Sequence, residues 1–144
     1  MYAQFDEKFG VNEMKNTEQA SIKITGMDAD RTHKYEGAMY HVYLTLSASP
    51  SADWTDDFNH SWRNHFYMMK RHAQVEGATI RTDCPLAEIE TGLKSELEKI
   101  IHEVNAREAE RISRAEKART EQEAREKEER AMIEATAKRV NESK

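Results

Sequence analysis

Regular alternation of apolar residues predicts two strands in the first third of the chain. In residues 38–47 every second position is apolar and large, which is the period of a half-buried strand. The alternating residues are Tyr40, Val42, Leu44 and Leu46. A shorter run, residues 21–25, places Ile22 and Ile24 on one side. Residues 26–37 between the two runs are mostly polar, and we expect a loop there.

Aromatic residues spaced four apart predict a helix after the second strand. They are Trp54, Phe58, Trp62 and Phe66. At 100° per residue they fall within an arc of about 120°, the pattern of an amphipathic helix packed on a sheet. Pro50, between two serines, ends the preceding strand.

A second pair of strands and a second helix follow. Residues 72–76 and 78–83 flank Gly77 and predict a hairpin. Its expected inward positions are Ala73, Val75, Ala78, Ile80 and Thr82. Cys84 and Pro85 are predicted to begin the second helix, with Asp83 as its cap or as a favourable charge at its positive end. Its apolar stripe comprises Leu86, Ile89, Leu93, Leu97, Ile100, Ile101 and Val104.

This order of elements predicts the α+β fold class. We expect a small, largely antiparallel sheet with two helices on one face, in the order β-β-α-β-β-α. The second helix is predicted to continue as a long charged C-terminal helix. The predicted organisation is a polar arm (1–19), a compact domain (20–105) and a charged helical extension (106–144).

The extension is too charged to bury a core of its own. Between residues 103 and 130, nine residues are acidic and eight are basic. When Ile112 is taken as heptad position a, the a and d positions in the middle of the extension are polar. These positions form the contact between the helices of a coiled coil, so the pattern favours a single solvated helix. Both states remain open, so we expect a monomer or a homodimer through the tail. A small apolar cluster of Met132, Ile133 and Val140 is the candidate docking tip.

Composition narrows the classes of function. The chain is 38% hydrophobic and 34% charged, with a net charge of −5, which argues against binding nucleic acid through its overall charge. Its single cysteine, Cys84, excludes an internal disulfide and fits a reducing compartment. We find neither a secretory signal nor an apolar run of membrane-spanning length, and we expect a soluble cytoplasmic protein.

Few residues suggest chemistry, and each has a simpler interpretation. Polar residues on the first helix include the types that bind metals, but an ordinary solvated face explains them as well; they are Asp56, Asp57, His60 and Asn64. His65 is expected to be a structural, hydrogen-bonded histidine. Cys84 at a helix start could form a thiolate, yet a small buried residue fits equally. We therefore expect no enzyme, no cofactor and no metal site.

The sheet face away from the helices collects basic and aromatic residues. Period-2 placement puts Lys23, His41, Tyr43, His72 and Arg81 there. A solvated surface, a protein-contact face and a nucleic-acid face are the three interpretations. We expect a non-enzymatic protein-interaction module, with nucleic-acid association as the alternative. A phage- or mobile-element-encoded inhibitor of a host protein machine is a third hypothesis.

Overall fold

The computed structural model describes residues 19–66 and 70–143. The predicted polar arm lies outside these ranges except for Gln19. The strands are β1 (Ile24–Met27), β2 (His33–Glu36), β3 (Met39–Leu46), β4 (Ala73–Glu76) and β5 (Thr79–Pro85). The helices are α1 (Ala52–Asn64), α2 (Leu86–Glu88) and α3 (Lys94–Glu142), and a kinked segment, Ile89–Leu93, joins α2 to α3. The predicted α+β class with a long C-terminal helix is confirmed.

Two compact units divide the chain at residues 109 and 110. The first unit, called the head, is Met1–Ala109, and the second, called the tail, is Glu110–Lys144. Helix α3 contributes residues to both units. In the tail the side chains of this helix are exposed over residues 113–143. Pairs one turn apart support it, such as Glu110 with Arg114 and Arg130 with Glu134.

The head contains one antiparallel sheet in the order β1-β3-β5-β4, with β2 also paired to β3. Strand β1 pairs with the end of β3 near Leu46, and β2 pairs with its start, where His33 is opposite His41. The prediction that residues 26–37 form only a loop was therefore wrong. All four side chains of β2 are exposed, so backbone pairing with β3, rather than apolar alternation, creates this strand.

The core lies between one face of this sheet and the helices. Strands β3, β4 and β5 bury alternate residues, as predicted, and Trp54, Phe58 and Trp62 pack against them. The second half of the core comes from the kinked segment Ile89–Leu93 and from the first part of α3. Its buried residues are Ile89, Leu93, Leu97, Ile100, Ile101 and Val104. Ser51 is the N-cap of α1, and its hydroxyl accepts a hydrogen bond from the Trp54 backbone N–H at 3.2 Å.

Three predicted core positions are exposed instead. Phe66 is 89% exposed, because α1 ends at Asn64 and His65 is already extended. Ala78 is exposed because it belongs to the tight turn with Gly77, whose φ of 59° favours glycine. Leu86 is also exposed, since the second helix begins there and not at Cys84.

Candidate interaction surface

The candidate site lies on the open face, defined here as the sheet face opposite α1 and α3. The register of the strands shows which residues are neighbours on this face, because directly opposed residues point to the same side of the sheet. His41 is opposite Asp83, and Tyr43 is opposite Arg81. These side chains are half-buried, although the core lies on the other side of the sheet.

His41 is the centre of the open face. Its Nδ1 lies 2.6 Å from Oδ1 of Asp83 and 3.3 Å from Nη2 of Arg81. The Tyr35 ring stacks on the imidazole at a centroid distance of 4.0 Å. The His33 ring approaches edge-on at 5.1 Å. Together these contacts hold the imidazole in one orientation.

Arg31 lies over the neighbouring Tyr43 ring. Its guanidinium carbon is 4.2 Å from the ring centroid, a cation–π contact. Nη1 of Arg31 also donates to the Thr79 hydroxyl at 3.4 Å. The Tyr43 ring therefore packs against one face of the guanidinium, and the Thr79 hydroxyl of β5 binds one of its edges.

A compact turn holds Arg31 in this position. Oδ1 of Asp28 accepts hydrogen bonds from the backbone N–H groups of Asp30 and Arg31, at 3.1 and 3.3 Å. The Asp28 backbone N–H donates to the Tyr43 carbonyl at 2.8 Å. The Thr32 hydroxyl accepts from the Tyr43 backbone N–H at 3.2 Å. The aspartate and threonine thus tie the turn to β3 directly beneath Arg31.

We call Arg31, His33, Tyr35, His41, Tyr43 and Arg81 the open-face cluster. The structure brings together three of the five residues predicted for this face, namely His41, Tyr43 and Arg81. The prediction did not include Arg31, His33 or Tyr35, because their segment was taken for a loop. The alternation of His33 and Tyr35 with charged residues was the available signal.

Of the two remaining predicted residues, Lys23 lies far from His41, and His72 lies across the strand pair from Asp83, whose backbone N–H donates to the His72 carbonyl. The Lys23 carbonyl accepts from the Ser47 backbone N–H, about 20 Å along β3 from His41 at 3.3 Å per residue. His72 is exposed, and its carbonyl accepts from the buried Thr82 hydroxyl at 2.6 Å. Its register with Asp83 places it at the β4 side of the same face.

At the middle of β4, the strand edge that faces away from β5 is not free to pair with another strand. The Val75 backbone N–H donates to Oδ1 of Asn59, on α1, at 2.9 Å. An unpaired strand edge would offer such groups to another chain. The geometry therefore favours the open face over this edge as a contact surface.

The candidate chemical residues have structural partners. The Cys84 thiol is fully buried, and burial, reinforced by the nearby Glu88 carboxylate, raises its pKa to about 11. Asp57 pairs with Arg107 at 2.9 Å. Nε2 of His65 lies 2.8 Å from Glu96, so the predicted structural role of His65 is confirmed. Within residues 19–66 and 70–143, no three His, Cys, Asp or Glu side chains are grouped to hold a metal ion.

Asp83 also differs from its predicted role. It was expected to cap the second helix, but the N-cap position is Pro85 and no side chain caps it. The Asp83 carboxylate instead faces His41, with Nε of Arg81 at 3.7 Å. It therefore orients two members of the open-face cluster.

In the tail, the predicted docking tip is exposed. The exposed fractions of Met132, Ile133 and Val140 are 66%, 50% and 63%. Among the described helices, none is long and apolar enough to cross a membrane. Comparisons with models of protein families, with curated proteins and with solved structures found no match to this chain.

Proposed function

We propose that this chain is a non-enzymatic protein-interaction module whose head binds a partner protein through the open-face cluster. The observation that supports the proposal is a preorganised set of tyrosine, histidine and arginine side chains on a sheet face. Tyrosine and arginine dominate the binding energy of protein interfaces because they combine large contact areas with hydrogen bonding.

Preorganisation strengthens this interpretation. Tyr35 remains 44% exposed while its ring stacks on His41, so a partner meets a ring that is already oriented. Arg31 is similarly held on Tyr43. Side chains fixed before binding lose less conformational entropy in the complex, which leaves more of the contact energy as affinity.

Nucleic acid is the second candidate, because exposed rings beside arginines also stack on bases. The local charge favours a protein. In residues 23–36, which border the open face, the cations Lys23, Arg31 and Lys34 are balanced by an equal number of acids, Asp28, Asp30 and Glu36. A row of phosphates needs a surplus of cations along its path, whereas a protein surface of mixed charge does not.

The tail serves as a spacer or as a second contact in this proposal. Its exposed Met132, Ile133 and Val140 are the candidate contact residues, and a homodimer through the tail is the alternative to a monomer. The single buried cysteine supports a location in the cytoplasm, where thiols stay reduced. An inhibitor of a host protein machine is one kind of interaction module and would use the same open face.

The experiment is affinity capture with the full chain and matched variants. Arg81→Ala and Tyr35→Ala change the open-face cluster, and Arg63→Ala removes an exposed arginine from α1 as the control. We expect a nuclease-resistant captured protein to be retained by the wild type and by Arg63→Ala and lost from both cluster variants. Circular dichroism of each variant checks that the head is folded.

Two results would contradict the proposal. The first is capture that is identical for the wild type and the cluster variants. The second is capture that disappears on nuclease treatment, which would support the nucleic-acid alternative.

A further inference from the structure

Arg31 presents an unused hydrogen-bonding edge. One face of its guanidinium lies on Tyr43, and Nη1 contacts Thr79. Among the described residues, Nε and Nη2 of Arg31 have no hydrogen-bond acceptor and the guanidinium has no carboxylate partner. This differs from Arg71, which binds Glu88 through two bonds of 2.8 and 2.7 Å.

Two acids of the neighbouring turn and strand, Asp28 and Asp83, contact other groups. Oδ1 of Asp28 accepts from two backbone N–H groups of the turn. Asp83 faces His41 and Arg81. Neither carboxylate pairs with the Arg31 guanidinium, whose position is fixed by Tyr43 and Thr79.

The surrounding groups can add to an anion site. Arg81 is the cross-strand partner of Tyr43, so a second guanidinium lies beside the ring that supports Arg31. Nδ1 of His33 lies 2.8 Å from the Arg31 carbonyl, and since a carbonyl only accepts, Nδ1 carries the proton. In the neutral imidazole Nε2 is then an acceptor, so the anion-binding groups at this site are the two guanidinium groups.

We infer that the Arg31 guanidinium is the receptor for an Asp or Glu carboxylate of the partner that docks on the open face. This inference rests on the proposed function and specifies the partner's chemistry, an acidic peptide segment. A planar guanidinium binds a carboxylate through two parallel hydrogen bonds. The Tyr43 platform keeps that fork oriented before the partner arrives.

Charge complementarity favours an isolated carboxylate over a phosphodiester chain. Asp30 and Glu36 are exposed on the same segment as Arg31 and would repel successive phosphates. A single acidic side chain needs only one guanidinium with free N–H groups, which Arg31 offers, whereas a phosphodiester chain needs a row of cations. The neighbouring tyrosine rings supply contact area for the rest of the peptide.

The test begins with random peptides displayed on phage and selected on the full chain. We expect the enriched peptides to share an Asp or Glu residue. A synthetic enriched peptide and its counterpart with that acid changed to the amide are then titrated against the wild type, Arg31→Gln and Lys23→Gln. Lys23→Gln removes the same charge from an exposed residue outside the open-face cluster.

The expected result is a double-mutant cycle with strong coupling. Changing the carboxylate to the amide weakens binding to the wild type and to Lys23→Gln by roughly tenfold to a hundredfold, as for a hydrogen-bonded ion pair. The same change has little effect on binding to Arg31→Gln. Arg31→Lys restores only part of the affinity, because an ammonium lacks the planar fork.

Several outcomes would overturn the inference. A selection that yields no peptide, or peptides without a shared acid, is one of them. Another is equal affinity of the wild type and Arg31→Gln for the acidic peptide. A single-stranded oligouridylate that competes with the peptide and needs Arg31 would reassign the receptor to phosphate. Capture of a protein that depends on Tyr35 but not on Arg31 would overturn this inference and leave the proposed function standing.

Discussion

The side-chain oxygen of Asn105 accepts a hydrogen bond of 2.9 Å from the indole nitrogen of Trp54. The amide nitrogen of Asn105 donates to the Ile22 carbonyl at 2.8 Å. One amide thus connects α3, α1 and the residues before β1. Because Trp54 is fully buried, its N–H group has no access to water when Asn105 is replaced.

Asn105→Leu is expected to lower the free energy of unfolding by about 2 kcal/mol or more, since an unpaired buried polar group costs roughly 1–3 kcal/mol. Urea unfolding followed by tryptophan fluorescence measures the change. Glu103→Gln, at an exposed position of the same helix, is the control and should differ little from the wild type. A loss similar to that of the control would show that the Asn105 amide does not stabilise the head.

The bond from Val75 to Asn59 predicts a local effect at the sheet edge. Asn59→Ala removes the acceptor of the Val75 N–H, so amide hydrogen exchange at Val75 should accelerate and stability should fall by about 1 kcal/mol. Asn59→Asp retains an acceptor oxygen and should preserve the protection. Exchange at Ile80, which lies in the interior strand β5, serves as the internal reference. Equal Val75 exchange rates in the wild type and Asn59→Ala would contradict the assigned edge contact.

Sequence periodicity predicted the parts of the fold in which burial alternates. Strand β3 and the stripe of Trp54, Phe58 and Trp62 follow directly from apolar spacing, because each buries one face. Strand β2 could not be found in this way, since none of its side chains is buried. Phe66 matched the helical spacing but lies beyond the last helical residue, where the backbone is extended.

The candidate site was predicted only where it lies on alternating strands. His41, Tyr43 and Arg81 follow from the period of β3 and β5. Arg31 lies in a turn, and its position depends on the long-range bonds from Asp28 and Thr32 to Tyr43. Residue spacing carries no information on such bonds between a turn and a strand.

The buried thiol of Cys84 predicts a pH dependence of stability. Its pKa is raised from 9.0 to about 11, so the folded state favours the neutral thiol. Below pH 9 the neutral thiol makes its full contribution to the free energy of unfolding, because it is protonated in both the folded and the unfolded state. As pH rises from 9 to about 11, the unfolded chain ionises first and the contribution is lost, at up to about 1.4 kcal/mol per pH unit.

Urea unfolding of the wild type and Cys84→Ala over this pH range tests the effect. The alanine variant loses packing at every pH but has no thiol to ionise. The stability difference between the two chains should therefore narrow as pH rises above 9. A difference that stays constant with pH would show that the thiol ionises equally in both states.

The distribution of apolar residues in the tail predicts association through the tip, Met132, Ile133 and Val140, and not through the charged middle. Residues Arg119, Gln122, Glu126 and Glu129 occupy the middle of the heptad seam and are exposed, so a two-stranded coil would have to desolvate them. Burying Met132 or Ile133 against a partner contributes on the order of 1.5 kcal/mol or more each. The double variant Met132→Asp, Ile133→Asp should abolish a tail contact and leave the unfolding of the head unchanged.

Analytical ultracentrifugation over a wide range of concentrations separates the two models of the tail. Ala118→Asp with Ala124→Asp adds the same charge at exposed positions in the middle of the tail and is the matched control. Deleting residues 110–130 removes a whole number of heptads and spares Glu108, which is buried in the head. If a stable dimer survives the double change at the tip but fails on this deletion, the seam in the middle carries the association. The tail would then be a coiled coil, and its middle would have to pair the charged residues that the single helix leaves in water.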